Sequence, residues 1–98
     1  MTSGRELLDT SLGSGDVHDT IGQHIGIGQY ELHLFRETHV DPSGKSHAFE
    51  EIEGSISGLD AQERVGEPLV LTLEDGRKLD FSYQDSDGTI IARGDFRK

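Results

Sequence analysis

Two imidazoles and a carboxylate brought to one point can hold a Zn²⁺ ion with an open coordination position, the arrangement by which metal hydrolases activate water. The segment 33–53, HLFRETHVDPSGKSHAFEEIE, supplies that residue set: His33, Glu37, His39, His47 and Glu51. No HExxH spacing orders them, so they converge only if the chain folds back between His39 and His47. The competing reading of these residues is a solvated polar face, and the absence of a ligand-spacing motif favours it.

Other chemistry-bearing stretches have simpler explanations. In YQDSDGTI, Asp85, Asp87, Gly88 and Ile90 match the middle of a calcium loop. Tyr83 and Gly94 stand where its first Asp and its bidentate Glu are needed, and the same Asp and Gly suit a hairpin turn. Glu50, Glu51 and Glu53 offer carboxylates for acid and base work, but that work needs one of them buried to shift its pKa. The chain has no cysteine and no GxSxG, so thiol and serine nucleophiles of the familiar kinds are not signalled. Arg93, Arg97 and Lys98 gather beside Phe96, with Asp95 interrupting them.

The elements that must position these residues sit in one domain, because 98 residues support a single core. Without cysteine there is no disulfide or thiolate metal site, so packing must hold that core. The net charge of −10 has no basic segment to offset it, which argues against phosphate backbones and anionic membranes as partners. No window carries the apolar run of a membrane span, and the stretch after Arg5 lacks the apolar core of a secretion signal; the expected location is the cytoplasm.

Residues 1–20 mix Gly, Ser, Thr and Asp with few apolar side chains, and are read as a flexible tail or a short terminal helix, leaving 21–98 as a single barrel-like domain. Ile25 and Ile27 in GQHIGIGQ suggest a short edge strand. From Tyr30 the pattern has period two: Tyr30, Leu32 and Leu34 alternate with Glu31 and His33. Asp41-Pro42-Ser43-Gly44 then marks a turn, and a second strand runs over 46–57. A loop of residues 41–45 pairs Leu34 with Ile52, Tyr30 with Ile56, Arg36 with Glu50, His33 with Glu53 and His39 with His47. It also places Phe35 and Phe49 on the histidine face, which implies that the face is partly covered.

Asp60 followed by Glu63, with Gly66 and Pro68 beyond, predicts one short connecting helix. Downstream, a two-residue turn at Asp75-Gly76 would put Leu69, Leu71 and Leu73 on the face opposite Leu79 and Phe81. A three-residue loop with Gly76 left-handed instead pairs Leu71 with Leu79 and Leu69 with Phe81, and is preferred for that reason. A loop of residues 85–88 pairs Tyr83 with Ile90 and Phe81 with Ala92 inside, and Asp80 with Arg93 and Lys78 with Asp95 outside. The fold expected is mainly β: a small antiparallel barrel or roll of five to six strands, with an open sandwich as the alternative.

The functional expectation is a small acidic protein-interaction module, not an enzyme, acting through a sheet edge or an apolar sheet face on a protein partner or a second copy of itself. Phe35, Phe49, His39, His47 and Glu37 are its candidate partner-binding residues, and no cofactor is implied. A metal-binding or hydrolytic module centred on the His39 and His47 pair is the alternative.

Overall fold

In a computed structural model, which describes residues 3–98, six strands close into one antiparallel barrel. They are β1 (Ser3–Asp19), β2 (His24–Val40), β3 (Ser46–Ser57), β4 (Leu69–Thr72), β5 (Lys78–Tyr83) and β6 (Thr89–Ala92), and the order around the barrel is β1-β2-β3-β6-β5-β4. A single 3₁₀ turn, Gln62–Arg64, lies between β3 and β4. Asp60 Oδ1 stands 3.4 Å from the Glu63 amide at its start, a long bond. Among the described residues no helix is long and apolar enough to cross a membrane.

The segment expected as a tail or terminal helix is the strand that closes the barrel. β1 pairs with β2 along its whole length and with β4 at residues 16–19, while residues 1–2 of the expected tail lie outside the described residues. Its polar composition misleads because its inward positions are small, not apolar. A Cβ on Gly13 would stand 2.6 Å from the Tyr30 hydroxyl, and one on Gly15 would stand 2.1 Å from the Thr72 carbonyl. Larger neighbours already fill the space beneath this strand, and only Val17 buries a large apolar side chain there. Ile25 and Ile27 likewise belong to no separate edge strand. They open β2, which lies between β1 and β3, and they flank the inward Gly26 and Gly28.

The three hairpins take the expected registers. Leu34 faces Ile52 and Tyr30 faces Ile56 across β2 and β3. Leu71 faces Leu79 and Leu69 faces Phe81, with Gly76 at a φ of 91° in the bulged loop. Tyr83 faces Ile90 and Phe81 faces Ala92. Their inward side chains form one core around Phe81, Tyr83, Leu32, Ile56, Leu69, Leu71 and Leu79.

The outer pairing of the last hairpin departs from expectation at one point. Arg93 donates its amide to the Asp80 carbonyl at 2.7 Å, but Lys78 then bridges to Arg97 instead of Asp95. Gly94, at a φ of 132°, lets the chain slip by two residues, and the Arg97 guanidinium reaches the Asp80 carboxylate at 2.8 Å. An Asp–Arg pair replaces the predicted Lys–Asp pair.

The strands differ in length, and that decides the shape. β4 pairs with β1 over four residues and β6 with β3 over three at the closing seams, so the far halves of β1, β2 and β3 leave the barrel as a three-stranded wing. The molecule measures 47 × 26 × 22 Å.

Candidate functional site

The wing carries the partner-binding candidates Phe35, Phe49, His39, His47 and Glu37. Alternation along β2 and β3 puts His33, Phe35, Glu37, His39, His47, Phe49, Glu51 and Glu53 on one face, with His39 directly opposite His47 and His33 opposite Glu53. The two facing imidazoles are engaged elsewhere. His39 stacks on Phe49, with ring centroids 5.4 Å apart and planes 14° from parallel, and its Nε2 lies 3.7 Å from Glu37. His47 bonds Asp41 at 3.1 Å. Among the described residues no three His, Cys, Asp or Glu side chains are arranged to hold a metal ion.

Arg5, on the strand that reads as a tail, organises this face. Its guanidinium lies 3.7 Å over the Phe35 ring, 3.2 Å from Glu37 and 2.5 Å from Glu53, so it ties β1 to β3 across β2. Phe35 is therefore half-covered by the protein itself, whereas Phe49 is 47% exposed. The hydrogen bond to Glu53 raises the Arg5 pKa above its already high ordinary value. Glu51 lacks such a cation. Its carboxyl is pushed above the ordinary carboxylate range, first by partial desolvation and then by the charges of Glu37 and Glu53.

Both edges of the wing lack a neighbouring strand, but they are unlike. On β1 the pairing shifts between Leu7 and Asp9, a bulge that disrupts the ladder. The Asp9 carboxylate accepts the Thr10 amide at 2.9 Å, and Glu74 accepts the Ser14 amide at 3.2 Å. On β3 the register is unbroken, and β6 pairs only at residues 53–55. Asp41 donates its amide to Lys45 and Ile56 donates to Gly88, so odd-numbered residues bond β2 and even-numbered ones point outward. The amides and carbonyls of Ser46, Ala48 and Glu50 thus face solvent, whereas the Ile52 carbonyl faces Ala92, where the β6 ladder begins. No described side chain caps them.

A cleft of about 520 Å³ opens where β3 leaves β6, lined by Glu50, Ile52, Glu53, Ile91 and Asp95 among others. It cannot be foreseen without knowing how far β6 follows β3. The C-terminal cations do not form a free patch: Arg93 donates to Ser82 at 2.6 Å, Arg97 pairs with Asp80, and Phe96 lies beneath Arg77 at 4.5 Å. Asp85 and Asp87 shape the β5–β6 turn, where the Asp87 amide donates to Asp85 at 2.9 Å. Compared with protein-family models, curated proteins and solved structures, the chain matches none of them.

Proposed function

We propose that this protein is a non-enzymatic interaction module that binds an extended polypeptide segment along the wing. The observation that carries the reading is the open edge of β3 over residues 46–51, in a fold whose barrel body is closed. Closure removes strand edges wherever it occurs, and proteins that must avoid strand addition bulge, shorten or cap the edges that remain. β1 is treated in that way; β3 is not. Strand addition at such an edge draws affinity from main-chain hydrogen bonds and specificity from alternate side chains. Phe49 is the exposed aromatic beside that edge, with His39, His47 and Glu37 around it and Phe35 behind Arg5.

The test uses a substitution that the fold tolerates. The Ala48 amide points away from β2, and proline is accepted in strands where the missing N–H would have faced solvent. Protein drawn gently from its source cells and weighed by native mass spectrometry should carry a bound polypeptide in the wild type and lose it in Ala48→Pro. A bare monomer in the wild type, or a complex that survives the substitution, overturns the proposal.

A further inference from the structure

β6 reaches β3 at Ile52, so the stretch of β3 without an outer neighbour is 46–51, with Phe49 inside it. A second copy of the same edge, laid antiparallel with Phe49 on Phe49, uses residues 47–51 of each copy and stops short of β6. This register is compatible with the backbone. It opposes Ala48 to Glu50, both residues whose amides and carbonyls point outward.

The side chains fit the same register. Along the exposed face the strand and the end of its turn read Lys45, His47, Phe49, Glu51, Glu53: basic, imidazole, aromatic, acidic, acidic. Reversal of that series about Phe49 opposes His47 to Glu51 and aromatic to aromatic, with Lys45 at the acidic end of the other copy's strand. Opposite charges and aromatic pairs are the cross-strand combinations that stabilise antiparallel pairing. A shift to a Glu50 centre would instead set Glu50 against Glu50 and Phe49 against Glu51. An Ala48 centre would set each Phe49 against His47 and separate the two phenyl rings.

We infer that the occupant of the β3 edge is a second copy of this chain, joined through residues 47–51 in a two-fold antiparallel pair centred on Phe49. The inference rests on the interaction reading above and names its partner. The pairing lays the tip of each wing along the other barrel, where the cleft beside β6 gives it room, and brings Lys45 toward Glu53 and Asp95 of the second copy. It also supplies an imidazole to Glu51, the crowded carboxylate that lacks a cation of its own. The interface is isologous, so every contact occurs twice. Five residues from each copy bury less than a standard interface, which makes the dimer reversible.

The experiment is sedimentation velocity of the purified full-length chain across roughly three decades of concentration. Wild type should show a reversible monomer–dimer equilibrium. Glu51→Lys sets an ammonium group against His47 of the other copy, and His47→Glu sets a second carboxylate against Glu51. Each should weaken the dimer by roughly thirtyfold, because each change is felt twice. An equimolar mixture of the two variants should restore it, since each then supplies the charge that the other needs. Ala48→Pro should abolish it, with circular dichroism confirming that the barrel remains. A wild type monomeric throughout, a mixture no tighter than its components, or a dimer indifferent to Ala48→Pro overturns the inference. If the first of these occurs while protein from source cells carries a different polypeptide that Ala48→Pro releases, the self-pairing fails and the interaction reading stands.

Discussion

The Tyr83 hydroxyl donates to the Ile56 carbonyl at 3.0 Å, a buried bond that ties β5 to β3 across the barrel interior. Tyr83 is 1% exposed, and desolvation pushes its phenol pKa above the ordinary value, which favours the neutral, donating hydroxyl. Tyr83→Phe keeps the ring and its edge-to-face contact with Phe81. The variant should lose about 1 kcal/mol of stability in urea titration, the net contribution of a neutral buried hydrogen bond. An unchanged midpoint would show that the bond contributes nothing net.

Gly15 lies on the inner side of β1, where a Cβ would stand 2.1 Å from the Thr72 carbonyl of β4. That obstacle is backbone, so a rotamer change cannot relieve it. Gly15→Ala should force β1 and β4 apart at the seam that closes the barrel, at a cost of about 2 kcal/mol. Gly4→Ala, where a Cβ meets nothing within 4 Å, is the matched control. Equal melting temperatures for the two variants would refute this account of closure.

Asp41 holds the β2–β3 turn by accepting the amides of Ser43 and Lys45, the Ser43 hydroxyl and the His47 ring. The Ser43 hydroxyl bond is the largest influence, His47 the next, and together with the amides they lower the Asp41 pKa to about 2. A carboxylate with a depressed folded pKa stabilises the fold above its unfolded value and loses that contribution as pH falls through the folded one. The melting temperature of Asp41→Ala should therefore lie below wild type at neutral pH. The gap should close between about pH 4 and pH 2. A gap independent of pH would show that the carboxylate charge does not matter.

Most of the barrel is legible in the sequence because its hairpins satisfy two faces at once. Only one register sets Leu71 on Leu79 and Leu69 on Phe81, and only one sets Leu34 on Ile52, so alternation together with turn length suffices for the three hairpins from Tyr30 to Ala92. β1 escapes that logic. Ser11, Gly13 and Gly15 occupy inward positions where Tyr30 and Thr72 already fill the space, and no local pattern announces a strand that is stabilised by its neighbours' side chains. The wing face is legible for the same reason as the hairpin that builds it, His39 opposite His47 included. Arg5 is not, because its role depends on β1 being a strand. The open edge of β3 is a matter of where β6 stops, which depends on strand lengths on the other side of the barrel.

Arg5 gives the last prediction, since it is the link between the strand that composition hides and the face that composition suggests. Its guanidinium is planar, so it can stack on Phe35 and still fork toward Glu37 and Glu53. Arg5→Ala uncovers Phe35 and leaves Glu37, Glu51 and Glu53 with no cation among them. Surface ion pairs add little to global stability, so the melting temperature should hardly move. The local effect should be large: amides of residues 4–7 should exchange with deuterium at least about tenfold faster, because only the backbone ladder to β2 then holds that end of β1. Arg5→Lys keeps the charge without the stacking plane and should restore only part of the protection. Should residues 4–7 exchange equally fast in wild type and Arg5→Ala, the ladder to β2 alone would be what holds the strand, and Phe35 would be covered by β1 without help from the guanidinium.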